Sequence, residues 1–264
     1  MKEKTSRVNI IQKRKRKAAF VKWIRIAVQM MFLVLIPAVF SQAFGAVKDI
    51  AETIGRGESI SWTIFTTKFA VLCLATMVLG RVFCGWACAF GALGDWLYQI
   101  GQAIQKKSGK KLPVMPEKIQ VILQKMKYIV LLLILVICFF GETQLIAQFS
   151  PWTVFSLITS GGEFGGYKYS IIAIVFVMIG MIYKERFFCQ FLCPLGAIFS
   201  LLPQWSFFKL KRNQEKCIPN CTLCKRNCPV HIKLQEEEYR EGECIMCGRC
   251  KYGCPKNNIK IKMK

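Results

Sequence analysis

The sequence predicts an all-α membrane bundle of four transmembrane helices with an internal two-span repeat, followed by a small α+β domain. Hydrophobic residues make up 53% of the 264 residues, and the mean hydropathy is +0.35. These values are too apolar for a single soluble domain. Apolar runs of spanning length alternate with basic segments, and eight of the 14 cysteines lie in the last 48 residues. The chain therefore divides into a membrane part and a cysteine-rich soluble part.

Four segments are apolar enough to cross a bilayer, which takes about 20 residues per helix. They are Ile24–Phe44 with a kink at Pro37, Ile60–Leu79, Tyr128–Ala147 and Tyr169–Tyr183. The fourth has only 15 residues, so it spans only if the chain stays at membrane depth beyond Tyr183. Ser150–Ile158, closed by glycines, predicts a helix at the membrane interface rather than a fifth span.

The placement of Lys and Arg orients these spans. Residues 1–25 carry ten basic side chains and residues 101–127 carry seven, whereas the loops after the first and third predicted spans carry very few. Basic segments stay in the cytoplasm, so both termini are predicted there, in a multi-pass protein of the cell inner membrane. The predicted regions are a basic segment (residues 1–23), a transmembrane domain (24–205) and a cytoplasmic domain (206–264). The net charge of +23 then suits anionic lipid, and no nucleic-acid partner is expected.

A phrase of 13 residues occurs twice, 105 residues apart: RVFCGWACAFGAL at Arg81–Leu93 and RFFCQFLCPLGAI at Arg186–Ile198. The predicted orientation brings both phrases to the cytoplasmic face. Three interpretations are open for their cysteines: a metal or iron–sulfur centre, a redox thiol pair, or packing. Repetition at equal spacing favours a cofactor or redox role for the set Cys84, Cys88, Cys189 and Cys193. Arg81 and Arg186 belong to the same phrases, with anchoring at the lipid headgroups as the simpler alternative.

Two runs of four cysteines, each ending in Cys-Pro, occupy the C-terminal region. The second run, CIMCGRCKYGCP, has the two-cluster ferredoxin spacing, and the first has one extra residue after its first cysteine. Zinc is less consistent with four cysteines at this spacing, because zinc sites usually use separated Cys-x2-Cys pairs. We predict two [4Fe–4S] clusters, one held by Cys217, Cys221, Cys224 and Cys254, the other by Cys244, Cys247, Cys250 and Cys228. So small a domain depends on its metal to fold.

Two charged residues lie inside predicted spans. Lys68 and Glu142 fall at similar depths below the outer surface, which predicts an ion pair or a shared site for a quinone head group and a proton path. The alternative is that Lys68 reaches the outer headgroups and Glu142 simply ends its helix. His231 is the single histidine, so haem held by two histidines is excluded within this chain.

The four spans, the repeated phrase after spans two and four, and the paired C-terminal runs resemble the NapH family of membrane ferredoxin-type proteins. Similar modules occur in NosR and in the CcoG/RdxA group. The resemblance implies a quinol-linked electron-transfer subunit that works with extracytoplasmic redox partners. It also implies that the eight C-terminal cysteines are cluster ligands and that the four phrase cysteines match the family's membrane-proximal ones. Ala89 departs from the family, which usually has proline there, so a generic role in a membrane redox complex is implied rather than nitrate reduction.

Two functions of different class therefore remain, with a redox sensor as a third. The first is electron transfer between quinol or a cytoplasmic donor and a partner redox protein. The second is assembly of another enzyme, by reducing it or delivering metal to it. The expected partners are membrane lipid, quinone and other redox subunits.

Overall fold

A computed structural model gives the structure of the chain. It describes residues 2–36, 39–59, 62–109, 115–162, 165–202, 209–213, 215, 217–218, 221–232, 234 and 241–262. Within these residues the chain forms thirteen α-helices, one short 3-10 turn and two short strands.

The N-terminal region folds as two helices, α1 (Lys2–Leu35) and α2 (Val39–Gly55). The predicted span Ile24–Phe44, with its kink at Pro37, is therefore divided between two helices. A residue that precedes proline is disfavoured in helical conformation, and Ile36 is the last described residue before Pro37. Pro37 itself lies outside the described residues.

The second and fourth predicted spans form helices close to the expected bounds. They are α3 (Ile64–Leu79) and α9 (Lys168–Tyr183). Thr63 caps α3, because its hydroxyl accepts from the Thr66 N–H while the Thr66 hydroxyl accepts from the Thr63 N–H.

The third predicted span is displaced. Helix α6 (Glu117–Phe139) begins before Tyr128 and ends before Ala147, and a separate helix α7 (Thr143–Phe149) follows. Gly141 has φ of 82° between them, a left-handed conformation that glycine adopts without steric cost. Glu142 precedes α7 and is exposed.

Shorter helices connect these elements. The predicted interfacial segment Ser150–Ile158 forms α8 (Pro151–Ser160), which ends at Gly161 in a left-handed conformation. The first phrase folds into α4 (Val82–Trp86) and the start of α5 (Ala89–Ser108). The second phrase folds into α10 (Phe187–Phe191) and α11 (Pro194–Leu201).

The C-terminal region contains a two-stranded antiparallel sheet and two short helices. Strand β1 (Lys209–Arg212) pairs with β2 (Ile259–Lys262), with Arg212 opposite Ile259. Between the strands lie α12 (Leu223–Arg226) and α13 (Arg249–Gly253). Leu210, Ile245 and Ile259 are buried in the same apolar core as residues of the helical bundle, so the C-terminal region packs directly on the bundle.

Two helices in the described part of the chain are long and apolar enough to cross a membrane. They are Arg16–Leu35 within α1, with 20 residues, and α6, with 23 residues. Helices α3 and α9 are apolar but shorter. The topology of four spans stays a prediction.

Candidate functional site

The two sequence phrases adopt the same local structure. In both, the first cysteine lies inside a five-residue helix, and the second precedes the next helix as its N-cap. Cys88 has φ and ψ of −64° and 116°, and Cys193 has −74° and 111°. The N–H of each N-cap cysteine donates over 2.9 Å to the carbonyl oxygen of the phenylalanine five residues before it. The sequence repeat is therefore also a structural repeat.

The cysteines of the two phrases lie together. The thiol of Cys193 is within electrostatic range of those of Cys84, Cys88 and Cys189, and Cys88 is also within range of Cys189. Cys84, Cys88 and Cys193 are buried, and Cys189 is half-buried. The backbone N–H of Gly196 donates to the Cys193 sulfur over 3.1 Å. The four phrase cysteines thus lie in one neighbourhood, close enough for their charges to interact.

The arginine of each phrase packs against the glycine of the other phrase. A Cβ atom added to Gly91 would lie 2.1 Å from Nη1 of Arg186, and one added to Gly196 would lie 3.1 Å from Nη2 of Arg81. Each glycine therefore makes room for the guanidinium of the other phrase. Both arginines are at most 2% exposed, so neither anchors the chain at lipid headgroups.

Asp95, in α5, holds the second arginine. Arg186 donates from Nε to Oδ1 over 2.7 Å and from Nη2 to Oδ2 over 2.6 Å, and Nη1 donates to the Cys84 carbonyl oxygen over 2.5 Å. Arg25 and Gln29 of α1 donate to the same carboxylate. Burial alone would raise the pKa of Asp95, but the charges of Arg186 and Arg25 outweigh burial and lower the pKa to about 2. Asp95 is therefore a permanent anion between α1 and the two phrases.

Glu243 gives the first arginine its carboxylate from the C-terminal region. Arg81 Nη1 lies 3.3 Å from Glu243 Oε2 and donates to the Gly242 carbonyl oxygen over 3.1 Å. Lys127 of α6, which is fully buried, donates to both Glu243 oxygens over 2.5 Å. Burial would raise the pKa of Glu243, but Arg81 and Lys127 lower it overall. Asp95, Glu243 and Lys127 were not among the predicted site residues. The available signal for Asp95 was an acidic residue two positions after the first phrase.

Seven of the eight C-terminal cysteines fall into two neighbourhoods. Cys250 is within electrostatic range of Cys247, Cys244 and Cys228, which is the set predicted for one cluster. Arg212 is within range of Cys217, Cys224 and Cys221 and donates from Nε to the Cys217 sulfur over 3.1 Å. Cys254, at the end of α13, packs against the apolar core.

The first phrase touches the second cysteine run directly. A Cβ atom on Gly85 would lie 2.1 Å from the carbonyl oxygen of Ile245 and 3.5 Å from the Cys247 nitrogen. Trp86 Nε1 donates to the Met246 carbonyl oxygen over 3.1 Å. Because Gly85 has no side chain, the backbone between Cys244 and Cys247 packs against the helix that carries Cys84.

Aromatic rings cover the phrase cysteines. The ring centroids of Phe90 and Phe188 are 4.8 Å apart, and Trp152 packs edge-on against Phe188 at 5.2 Å. Phe90, Phe188 and Trp152 are at most 4% exposed. These rings keep water away from the side of the site that faces the bundle.

Lys68 and Glu142 are not brought together. Lys68 Nζ donates to Oε1 of Gln42 over 2.7 Å, and no ion pair between Lys68 and Glu142 forms in the described structure. The predicted pair depended on a third span that continued through Glu142, and that helix ends at Phe139.

In the described ranges, no three or more His, Cys, Asp or Glu side chains converge as ligands of a single metal ion. A cubane has a different requirement, because each thiolate binds its own iron at a separate corner.

Comparisons with known proteins add independent findings. A family model described as a 4Fe-4S binding domain matches residues 62–111 and 169–213, and each matched segment contains one phrase. Proteins MJ0749 and MJ0750 of Methanocaldococcus jannaschii are 35% and 34% identical, covering 77% and 73% of this chain and 72% and 76% of their own lengths. The ferredoxin-type protein NapH of Haemophilus influenzae is 25% identical over 74% of this chain and 67% of NapH. No solved structure matches the chain.

Proposed function

Because this chain belongs to the NapH-like family of ferredoxin-type proteins with a 4Fe-4S binding domain, we propose that it is a membrane-bound electron-transfer subunit. It passes electrons between quinol or a cytoplasmic donor and a partner redox protein on the opposite side of the membrane. Iron–sulfur electron transfer is the common property of the family. The membrane location, the route and the partners are the proposal.

The observation that carries the proposal is the contact at Gly85. It packs the backbone between Cys244 and Cys247 against the helix that carries Cys84. Two groups of cysteines, each with the donor set of an iron–sulfur centre, thus share one backbone contact. A short path between neighbouring centres is what a chain of electron carriers needs.

The side chains around the four phrase cysteines fit an iron–sulfur cluster. Arg81 Nε is buried and has no hydrogen-bond partner among the residues that the structure describes, and the Arg81 guanidinium lies next to Cys84 and Cys193. An inorganic sulfide or a cluster-bound thiolate would give this N–H an acceptor, and the two buried arginines would offset the negative charge of thiolates. Cys84, Cys88, Cys189 and Cys193 would hold this centre, and it would supply one-electron transfer.

In the C-terminal region, two clusters would be held as the sequence predicts. Cys244, Cys247, Cys250 and Cys228 would hold one, and Cys217, Cys221, Cys224 and Cys254 the other. Hydrogen bonds to sulfur favour the thiolate form, and the chain supplies them from Ile232 N–H to Cys228 over 3.3 Å and from Arg212 to Cys217. Despite some burial, the pKa of Cys217 is lowered by Arg212 and Asn258.

The membrane location is supported by the surface of the helices. Leu132 of α6 and Ile172 and Ile179 of α9 are each more than 60% exposed, and apolar residues of this kind dominate the outer faces of both helices. A soluble protein rarely leaves such a large apolar surface in water. With the basic segments inside, four crossings would put both phrases and the C-terminal region at the cytoplasmic face.

The quinol part of the proposal is supported by an apolar cavity of about 580 Å³ between α6, α7, α8 and α9. Phe188, Leu192 and Pro194 of the second phrase line it and flank Cys189 and Cys193. A quinone ring in this cavity would be separated from the phrase site by one layer of side chains.

Anaerobic purification and reduction test the proposal. Two cubanes require about eight irons and eight sulfides per chain, and a centre at the phrases adds more. A quinol analogue should reduce these centres in protein held in nanodiscs, and an added electron acceptor should reoxidise them repeatedly. Zinc without acid-labile sulfide, or clusters that complete no turnover, would contradict electron transfer.

A further inference from the structure

A polar cleft lies between α1, α5 and the C-terminal region, and Asp95 is one of the residues that line it. Its volume is about 670 Å³. Residues of three separate parts of the chain line it, among them Lys22, Tyr98, Lys106, Arg226, Cys247 and Tyr252. The cleft therefore reaches a predicted cluster ligand, Cys247, from the surface.

The charge of this cleft is strongly positive. Its lining includes five cationic side chains and two carboxylates. Both carboxylates are already paired, Asp95 with Arg186 and Arg25, and Glu185 with Arg249. Lys22, Lys106 and Arg226 are exposed, and none of them makes a salt bridge within the described structure. The unpaired charge thus lies on the rim and faces solvent.

We propose that this cleft is the docking site for an acidic electron-transfer protein that delivers electrons to the cluster at Cys247; this proposal rests on the proposed function. Exposed charges at a rim act mainly by steering a partner of opposite charge and raising its association rate. The floor of the cleft, in contrast, has its charges neutralised by internal pairs. A small anion would need unpaired cations at the floor, so the distribution favours the acidic surface of a protein.

The reaction at this site transfers one electron. A reduced iron–sulfur centre or flavin of the donor loses one electron, and the cluster of this chain gains it. No bond forms, and the donor leaves in its oxidised state. Tyr98 and Tyr252, both half-buried in the wall of the cleft, offer contact surface for the docked protein.

Stopped-flow reduction of the full chain in nanodiscs of zwitterionic lipid tests this proposal, with a reduced acidic ferredoxin as the probe. The variant combines Lys22→Glu, Lys106→Glu and Arg226→Glu, and its matched control combines Lys118→Glu, Lys125→Glu and Lys260→Glu. The control lysines are equally exposed and lie outside the cleft. At low salt, the cleft variant should lose about tenfold or more in its second-order rate constant, and the control much less. The difference should shrink as salt rises.

Arg226 lies in α12, the helix that also contains Cys224, so iron content is measured first. If iron is lost, the double variant Lys22→Glu, Lys106→Glu replaces the triple one. Light-reduced 5-deazariboflavin, a small donor without net charge, should reduce all variants equally. Equal rates of cleft and control variants, or no reaction of the wild-type chain with the acidic ferredoxin, would overturn the docking site. An effect that appears only with anionic lipid would assign the cleft to the membrane surface instead. Reduction by 5-deazariboflavin in either case would leave the proposed function standing.

Discussion

At the scale of single residues, the site depends on two buried arginines, and each of them has its own carboxylate partner. Arg81 and Arg186 occupy equivalent positions in the repeat, but the repeat does not supply their carboxylates. Asp95 serves Arg186 from the first half of the chain, and Glu243 serves Arg81 from the C-terminal region. Breaking a buried pair costs more than the pair contributes, because it leaves a charge without compensation. These two carboxylates should therefore be among the least replaceable residues of the molecule.

We expect Asp95→Asn to destabilise the chain by about 3–5 kcal/mol, the usual cost of breaking a buried ion pair. The change leaves Arg25 and Arg186 buried without an anion. Thermal unfolding in detergent measures it. Glu52→Gln is the matched control, since Glu52 pairs with Arg56, whose side chain is 60% exposed, and should cost about 0.5 kcal/mol or less. Similar losses in both variants would contradict the role assigned to Asp95.

Replacing the phrase cysteines by serine should remove iron from the site that these cysteines are proposed to form. We expect Cys84→Ser and Cys193→Ser each to lower the iron content and to change the spectrum of the reduced protein, because both thiols belong to the same cluster of cysteines. Cys138→Ser is the control, a cysteine that is fully buried but distant in sequence from both phrases. If iron, spectra and electron-transfer rate all stay at wild-type values, the phrase cysteines are packing residues.

At the scale of helices and strands, the sequence predicted which segments are apolar better than where their helices end. Helix α9 matches its prediction within one residue, because polar residues bound it on both sides. Helix α6 begins eleven residues before the predicted Tyr128, since Glu117–Lys127 is helical although it is too polar to be part of a span. The break at Gly141 needed a backbone conformation that hydropathy does not report.

At Gly85, α4 packs so closely on the segment between Cys244 and Cys247 that no side chain fits. We expect Gly85→Ala to destabilise the chain by about 1–3 kcal/mol, since the new Cβ would lie 2.1 Å from the Ile245 carbonyl oxygen. Electron transfer between the C-terminal clusters and the phrase site should slow, while total iron stays unchanged. Unfolding and flash-induced electron transfer measure the two effects.

Gly45→Ala is the control for this substitution. Gly45 lies in α2 and a Cβ there would meet nothing within 4 Å, so alanine should be neutral or stabilising. A Gly85→Ala protein with wild-type stability and electron-transfer rate would show that the close contact has no functional weight.

At the scale of the whole molecule, the sequence singled out the phrase cysteines as a candidate site, but it did not single out the charged residues that pack around them. The repeat is visible because its members are identical at equal spacing. Lys127, Glu243 and Asp95 carry no such pattern, and the hydrogen-bond partners of their charged groups lie between 66 and 162 positions away. Contacts between residues so far apart in the chain form only when the helices and the C-terminal region pack together. No local sequence pattern predicts them. The sequence predicted that Cys228 groups with Cys244, Cys247 and Cys250, because the ligands of two-cluster ferredoxins follow a characteristic cysteine spacing.

The folding of the C-terminal region should depend on its clusters. We expect Cys244→Ser combined with Cys250→Ser to make residues after 208 sensitive to protease, because so small a domain buries too little surface without its metal. Helices α1 to α9 should stay protected in the same sample. Limited proteolysis with mass spectrometry measures both. Wild-type protection of the C-terminal region in the iron-depleted variant would mean that its packing on the bundle is sufficient.

The last prediction concerns how many helices cross the membrane. Helices α3 and α9 have 16 residues each, which is about 24 Å of helix against a core of about 30 Å. With four crossings, reporters fused after Gly109 and Lys262 are cytoplasmic, and those after Gly57 and Gly166 are outside. If only α1 and α6 cross, Gly109 moves outside and Gly166 moves inside, while Gly57 and Lys262 keep their sides. Paired fusions to alkaline phosphatase and to a cytoplasmic fluorescent protein at Gly109 and Gly166 therefore distinguish four crossings from two. We expect four crossings, because Lys106 and Lys107 end α5 next to Gly109, and basic side chains remain in the cytoplasm.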